Sequence, residues 1–168
     1  MTKRCILIFS LAYYPRFVGG AEVALKEITD RLSPDEYEFH VVTLRYDSNL
    51  PVLENVGNVT VHRIGFSTKN PSIQDLSRPP LHFAKFYYQI AAYRTACALH
   101  KKYRFDLMWA MMAHAAAIPA GLFKKKFKDV PYLLTLQEGD PLWHIERTMR
   151  PVWPLFEDGF KQANAVQA

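Results

Sequence analysis

Short apolar runs alternate with amphipathic segments along most of the chain. A helix is predicted between the first two runs, from near Ala21 to the stop at Ser33-Pro34. One face of this helix carries apolar residues at helical spacing: Ala21, Ala24, Leu25, Ile28 and Leu32. The runs have the length and composition of buried strands, and they read "CILIFSLA", "EFHVVTL", "VTVHRI", "FDLMWAM" and "PYLLTL", with a sixth strand starting in "KQANAVQA".

Further helices are predicted between the later runs. One is long and begins at about Pro80, one is "AHAAAIPAGLFKKK" disturbed by Pro119, and "DPLWHIERTMRPVWPLFEDGF" holds one or two short pieces. The segment "NLPVLENVGN" is too short and broken to predict a helix. Strand–helix–strand succession predicts an α/β fold, a Rossmann-like, doubly wound parallel sheet with helices on both faces. We expect residues 1–168 to be a single domain cut from a longer protein, because the chain stops inside an apparent strand.

Composition limits the class of protein. A chain of 168 residues with 49% hydrophobic residues can bury the core of one domain. Cys5 and Cys97 lie far apart and outside any C-x-x-C or Cys/His spacing, which indicates neither a disulfide framework nor a zinc site and favours a reducing cytoplasm. The longest apolar stretch, "AMMAHAAAIPAGLF", is shorter than the roughly 20 residues that a membrane span requires.

Positive charge is concentrated in one part of the sequence. The net charge is +5, but residues 76–128 carry ten Lys or Arg against the single acid Asp106. This region contains the long helix, whose predicted apolar stripe is Leu81, Ala84, Tyr88, Ala91, Ala92, Thr95 and Leu99, widened by Phe83, Phe86, Tyr87 and Tyr93. Two interpretations stay open. Residues 78–104 and 124–128 form a peripheral contact with an anionic membrane, or they form a solvated lysine face on a helix packed against the sheet.

Candidate ligand-binding residues collect where the predicted strands end, in residues 13–20, 110–114 and 137–140. Gly19 and Gly20 join the first strand to its helix. Such a pair can take positive φ, leaves no Cβ in the way of a ligand and exposes the helix N–H groups to an anion. The pair is either a tight turn or a phosphate cradle. G-x-G-x-x-G and G-x-x-x-x-G-K-[ST] are absent, and the second strand ends in "TLRYD", without an acid at its tip.

The order of these motifs resembles family 4 glycosyltransferases, which have the GT-B fold. The segment "AYYPRFVGGAEVALKEITDRLSPDEYEFHVVTL" is similar to the opening of that family, with a P-x-x-x-G-G-x-E element after the first strand. The segment "FDLMWAMMAHAAAIPAGLFKKKFKDVPYLLTLQEGDP" is similar to its second characteristic stretch, and "ANAVQA" to the strand near the end of its N-terminal domain. The resemblance extends over nearly the whole chain.

The resemblance implies a two-domain enzyme that moves a sugar from a nucleotide-diphosphate-sugar donor to a glycan or lipid-linked acceptor with retention. This chain corresponds to the N-terminal, acceptor-side half, so the C-terminal domain with most nucleotide contacts is missing and the chain alone should be inactive. No cofactor, metal or nucleic acid is expected. The expected location is the cytoplasm, with peripheral contact at the inner face of the membrane as a candidate.

By position, the family resemblance assigns Gly19 and Gly20 to the loop near the donor pyrophosphate, with Arg16 as a candidate phosphate contact. The candidate acceptor or sugar contacts are Glu22, His114, Gln137, Glu138 and Asp140. Gln137 stands where many relatives have a histidine, and an amide cannot shuttle a proton, so no catalytic residue is assigned.

Other roles stay open for several of these residues. Asp140 can cap the helix that starts near Pro141, His114 can be an ordinary satisfied polar residue, and Arg16 can simply face solvent. Trp109, Trp143 and Trp153 can stack on a sugar, although packing in the core or between domains is the default. For the whole chain, a nucleotide-sugar epimerase or NAD-type oxidoreductase domain and a non-enzymatic module for anionic membranes are the alternative functions.

Overall fold

The computed structural model describes residues 3–137, 139 and 141–168. Its strands are β1 (Arg4–Phe9), β2 (Tyr37–Leu44), β3 (Leu53–Val56), β4 (Val59–Ile64), β5 (Leu107–Met111), β6 (Tyr132–Thr135) and β7 (Ala165–Gln167). Its α-helices are α1 (Gly20–Arg31), α2 (Ala84–Tyr103), α3 (Ala113–Lys126), α4 (Leu142–Met149) and α5 (Trp153–Lys161). Short 3-10 turns cover Gln74–Ser77, Leu81–Phe83 and Arg150–Val152.

The strands form one sheet in the order β3-β4-β2-β1-β5-β6-β7. Every pairing is parallel except that of β3 with β4. The chain builds the sheet outward in one direction from β1 and then returns to β5 on the other side of β1. The predicted α/β fold with a doubly wound sheet is therefore confirmed, and its topological switch point lies between β1 and β5.

Strand β3 is the element that the sequence pattern missed. It forms a hairpin with β4 across Gly57 and Asn58, where Gly57 takes a φ of 58°. A glycine at positive φ between two strands is typical of a tight hairpin turn. The strand lies at the edge of the sheet and its side chains are exposed or half-buried, so it lacks a hydrophobic pattern to predict it.

Helices cover both faces of the sheet, as predicted. One face packs against α2 and α3, with α5 packed on α3, and its core contains Leu7, Phe9 and Tyr88. The other face packs against α1 around Ile8 and Leu25. The buried Tyr88 hydroxyl donates to the carbonyl oxygen of Val42 at 2.8 Å, with Ser10 O at 3.2 Å, which ties α2 to the ends of two central strands.

The buried stripe of α1 differs from the prediction at one position. Ile28 is 44% exposed, whereas Thr29 is fully buried. Burial of Thr29 is tolerated because its hydroxyl donates to the carbonyl oxygen of Leu25 at 3.0 Å. The stripe therefore follows residues four apart, Ala21, Leu25 and Thr29, and Ile28 faces solvent.

The aromatic residues near the start of α2 do not widen its buried face. Phe83, Phe86 and Tyr87 are exposed, as is Ile90 one turn later. Core contacts on this segment come instead from the predicted positions Leu81, Ala84, Tyr88 and Ala92, all of which are buried. Four large apolar side chains at positions 83, 86, 87 and 90 thus share the solvent-facing side of α2.

Helix α3 runs through Pro119 without a break. A proline inside a helix leaves the carbonyl oxygen four residues earlier without its usual donor. Here that oxygen belongs to Ala115, and the side-chain amide of Gln89 on α2 donates to it at 3.3 Å. None of the described helices combines the length and the apolar character of a membrane span.

Candidate functional site

Three loops meet at the carboxyl edge of the sheet. Strands β1, β5 and β6 are neighbours, with Phe9 paired to Ala110 and Met111 paired to Thr135. The segments that follow them, which include residues 13–20, 112–114 and 137, therefore start side by side. The first two flank the switch point, where open α/β sheets bind their ligands.

The glycine pair lies at the protein surface, and Gly20 has open space beyond its backbone. Gly19 and Gly20 are both exposed, and a Cβ added to Gly20 would have no heavy atom within 4 Å. The expectation of positive φ is wrong for both residues. Gly19 is extended, with φ −111° and ψ −167°, and the positive φ in this loop, 58°, belongs to Phe17. Backbone strain therefore does not explain the use of glycine at these positions. A Cβ on Gly19 would lie 3.1 Å from Glu22 Oε2, whereas Gly20 has open space beyond its backbone.

Glu22 fixes the start of helix α1. Its carboxylate accepts the N–H of Gly19 at 2.7 Å, and the residue is buried. A carboxylate at this position also interacts favourably with the helix dipole. The first N–H groups of a helix, here from Gly20 onward, have no partner within the helix. Contact between Glu22 and a sugar stays a prediction, since this geometry gives Glu22 a structural role in the loop.

Residues 13–20 are anchored from the neighbouring strands. Arg16 forms an ion pair with Asp47, and its guanidinium also donates to the carbonyl oxygen of Pro71 at 3.4 Å. Arg63 on β4 is buried, and its guanidinium donates to the carbonyl oxygen of Tyr14 at 2.6 Å. Arg16 is therefore held within the protein and does not simply face solvent, and a phosphate contact from it stays a prediction.

Asp47 is a structural residue of the site that the sequence reasoning did not identify. The residue is 2% exposed, and its carboxylate accepts the N–H groups of Asn49 at 2.9 Å and Asn70 at 3.3 Å in addition to pairing with Arg16. These contacts, chiefly the Asn49 N–H and then the Arg16 guanidinium, lower the pKa of Asp47 below its usual value of 3.8. The available signal was an aspartate in the turn-forming segment "YDSN".

We expect Asp47→Asn to destabilise the fold and loosen residues 13–20, because the amide cannot form the ion pair or accept all of these bonds. Urea unfolding with tryptic digestion measures both effects. The difference in the free energy of unfolding between wild type and Asp47→Asn should shrink as the pH falls below 3.8, since the carboxylate stabilises the folded state only while it is ionised. Asp75→Asn is the control, because Asp75 has a lowered pKa but lies in the exposed segment 72–78. Equal unfolding midpoints for Asp47→Asn and wild type would contradict the anchoring role.

The loop after β5 contains a strained residue. Met112 has φ 66° and ψ 110°, immediately before helix α3. A bulky residue at positive φ is costly and is often found at functional sites. The N–H of Met112 donates to the carbonyl oxygen of Thr135 at 3.0 Å, which ties this turn to β6. The turn brings half-buried His114, in the first turn of α3, to the carboxyl edge.

The remaining predicted site residues fall at the third loop. Gln137 and Gly139 are exposed, whereas Glu138 and Asp140 lie outside the described residues. Trp109 is buried, and its indole N–H donates to Thr135 Oγ1 at 2.9 Å, so packing in the core is confirmed for this tryptophan.

The other two tryptophans lie outside the core. Trp143 is 63% exposed and Trp153 is 40% exposed. They line an open groove of about 460 Å³ together with Glu146, Arg147 and Arg150. Stacking on a sugar and packing between domains both stay predictions for these two rings.

Comparison with known proteins identifies the family. Residues 19–166 match the family model described as a glycosyl transferase 4-like domain. A search of curated protein sequences finds no significant match.

Solved structures share the fold at low identity. Sucrose-phosphate synthase from Thermosynechococcus elongatus aligns with 98% of this chain at a TM-score of 0.62 and 14% identity. A UDP-forming trehalose-phosphate synthase from Burkholderia vietnamiensis aligns with 99% at 0.60 and 13%. The N-terminal domain of Candida albicans trehalose-6-phosphate phosphatase aligns with 99% at 0.63 and 12%. The chain spans 42%, 40% and 40% of those proteins, respectively.

Proposed function

Because this chain belongs to the glycosyl transferase 4-like family, we propose that it is the acceptor-side domain of a two-domain GT-B glycosyltransferase. The proposed reaction moves a sugar from a nucleotide-diphosphate-sugar to a glycan or lipid-linked acceptor with retention at the anomeric carbon. The second domain, which lies outside this chain, would hold most of the nucleotide. We propose the cytoplasm as the location, where nucleotide-sugars are available.

The open space at Gly20 is the observation that carries this proposal. Gly20 has free space beyond its backbone, and it begins helix α1 at the switch point of the sheet. The unpaired N–H groups and the dipole of a helix N-terminus favour a negatively charged group. A pyrophosphate can therefore approach the backbone closely there, and the charge that develops on the leaving diphosphate would be stabilised.

Proton transfer does not require a side chain of this domain. Gln137 is exposed at the end of β6 and can donate and accept hydrogen bonds, but it has no titratable proton near neutral pH. In a retaining front-side reaction the acceptor oxygen forms the new glycosidic bond on the side from which the diphosphate leaves. The departing phosphate oxygen then takes the acceptor proton. We propose that Gln137, Glu138, Asp140 and His114 orient the acceptor, and that transfer needs no metal.

An NAD-type oxidoreductase is the main enzymatic alternative, and Asp47 argues against it. Dinucleotide-binding sheets use an acid after the second strand to hold the ribose hydroxyls. Asp47 is the nearest acid after β2, but its carboxylate is buried and already contacts Arg16 and two backbone N–H groups. Calorimetry on the intact protein separates the two functions. We expect binding of a nucleoside diphosphate or nucleotide-sugar. Tight binding of NAD, with no binding of either of those ligands, would overturn the glycosyltransferase proposal.

We expect the 168-residue chain by itself to bind donor weakly and to show no turnover, because the second wall of the cleft is absent. Full transfer activity from this chain alone would contradict the two-domain proposal.

A peripheral membrane contact is proposed in addition, through the aromatic surface of α2, defined by Phe83, Phe86, Tyr87 and Ile90. These side chains are 46–57% exposed, and Arg78 and Lys85 beside them are also exposed. Aromatic rings with flanking cations suit the interface of an anionic bilayer. The surface lies at the carboxyl edge of the sheet, next to the loops of the candidate site, where a lipid-linked acceptor would arrive.

The lysines at residues 124–128 are less suited to this contact. Lys124 donates to the carbonyl oxygens of Lys128 and Val130 at 2.6 and 2.8 Å, and Lys125 pairs with Asp158 at 3.0 Å. They also lie toward the opposite edge of the sheet, because α3 rises about 20 Å between Ala113 and Lys126.

Replacing Phe83 and Phe86 together by serine should weaken binding to phosphatidylglycerol vesicles at least about tenfold, because two rings no longer enter the interface. Co-sedimentation measures the effect. Ile28→Ser is the matched control, since Ile28 is 44% exposed on α1, which covers the opposite face of the sheet. If the wild-type protein binds neither phosphatidylglycerol nor phosphatidylcholine vesicles, the membrane contact is removed from the proposal.

A further inference from the structure

A cluster of metal-binding side chains lies at the amino edge of the sheet, opposite the candidate glycosyl-transfer site. Cys5 on β1 and Glu38 on β2 are register partners, and His40 lies two residues further along β2 on the same face. The Cys5 sulfur, a carboxylate oxygen of Glu38 and a ring nitrogen of His40 all lie within 4.8 Å of one another. These residues follow no zinc motif in the sequence, because the parallel pairing of β1 and β2 brings them together.

The donor set suits zinc and similar divalent cations. Thiolate, imidazole and carboxylate are the ligands that Zn²⁺ takes in proteins, and neighbouring donors in a tetrahedral site are about 3.3–3.6 Å apart. Small side-chain rotations that move the ligand atoms by roughly 1 Å would bring the three atoms to that spacing. The Glu38 side chain is 43% exposed, which leaves room for a water as the fourth ligand and a path for the ion.

The surroundings of His40 match those of a metal ligand. Its Nε2 lies 2.9 Å from Glu38 Oε1 and its Nδ1 lies 3.0 Å from His62 Nε2. Histidines that bind a metal through one ring nitrogen use the other in a hydrogen bond that fixes the tautomer. With Nε2 on the metal, Nδ1–H can donate to His62. The Tyr103 ring, whose centroid is 4.0 Å from that of His40, restricts the imidazole further.

Local charge favours a cation. Two carboxylates lie beside Cys5: Glu38 is its register partner, and Asp106 Oδ2 accepts the Cys5 backbone N–H at 2.8 Å. Among basic side chains, Lys102 lies near, with its Nζ 4.7 Å from the centroid of the Tyr103 ring that packs on His40. Among these four groups, with the thiol deprotonated, three negative charges face one positive charge, and a divalent ion balances the difference of two.

We propose that Cys5, Glu38 and His40 bind Zn²⁺, or a similar late first-row divalent cation, with water as the fourth ligand. Binding releases the thiol proton to solvent as the sulfur–metal bond forms. The ion joins β1 to β2 at the amino edge of the sheet, whereas the loops of the candidate glycosyl-transfer site lie at the carboxyl edge. Its role is therefore structural, and it is independent of the proposed glycosyl transfer.

Cobalt substitution tests this site directly. We expect the intact protein, without an affinity tag, to bind one Co²⁺ through Cys5 and to show the thiolate-to-cobalt charge-transfer absorption. Cys5→Ser should abolish this band. Cys97→Ser should keep it, because Cys97 is also buried but has Tyr93, Lys101 and Lys126 around it instead of carboxylates.

Glu38→Gln is a second test of the site that remains informative if Cys5→Ser does not fold. The change is nearly isosteric and half-exposed, so circular dichroism should match that of wild type while cobalt affinity falls at least about tenfold. Zinc should also raise the melting temperature of wild type and of Cys97→Ser, but not that of Cys5→Ser. Absence of the band in wild type, or its loss in Cys97→Ser and not in Cys5→Ser, would overturn the proposed site.

Discussion

Replacing Gly20 by valine in the intact protein is expected to reduce glycosyl transfer by at least about a hundredfold while leaving the domain folded. The space beyond Gly20 is open, so the new side chain meets no protein atom within 4 Å at its Cβ. It would instead occupy the space through which a pyrophosphate approaches the first N–H groups of α1. Losses of this size are typical when a preorganised donor is removed or a substrate is displaced by about 1 Å.

Steady-state kinetics with a saturating acceptor, together with a melting curve, measures the effect of Gly20→Val. Gly20→Ala is the graded control, because one methyl group covers less of the helix start and should cause a smaller loss. The melting temperatures of both variants should stay close to that of wild type, since the backbone at Gly20 does not take positive φ. Unchanged turnover and unchanged donor KM in Gly20→Val would contradict the role assigned to this loop.

Gly159→Ala is expected to destabilise the domain by about 3 kcal/mol. Helices α3 and α5 approach each other so closely that a Cβ on Gly159 would lie 2.5 Å from the carbonyl oxygen of Ala117. Gly121 lies on the α3 side of this contact, and a Cβ added to it would lie 2.9 Å from Gly159 Cα. Both neighbours are backbone atoms, so relief requires a shift of a whole helix.

Differential scanning calorimetry of Gly159→Ala should show a decrease in melting temperature of about 6–12 °C for a domain of this size. Gly139→Ala is the matched control, because an added Cβ there has no heavy atom within 4 Å and should change stability by less than about 0.5 kcal/mol. Equal melting temperatures for Gly159→Ala and wild type would show that α3 and α5 do not pack at this distance.

The order of strands and helices could be predicted because each buried strand is a continuous apolar run. The runs around β1, β2, β5 and β6 lie in the interior of the sheet, where both faces are covered. The start of α1 was also predictable, since the glycine pair ends the strand segment and an apolar stripe follows. Strand β3 was not predictable from hydrophobicity, because it is an exposed edge strand held by its hairpin with β4.

Features that depend on tertiary contacts could not be predicted from local sequence. The positive φ of Met112 runs against the preference of its residue type and persists through its hydrogen bond to Thr135. The pairing of Arg16 with Asp47 joins residues 31 positions apart. The exposure of Phe83, Phe86 and Tyr87 is equally non-local, because Leu81, Ala84 and Tyr88 already fill the contact between α2 and the sheet.

Acceptor-dependent release of a nucleoside diphosphate by the intact protein, across a panel of nucleotide-sugars, tests the proposed function most directly. We predict release with at least one donor, its loss in Gly20→Val, and a product with the anomeric configuration of the donor sugar by NMR. Folded intact protein that releases no nucleoside diphosphate from any donor and instead binds NAD tightly would contradict the proposed glycosyl transfer.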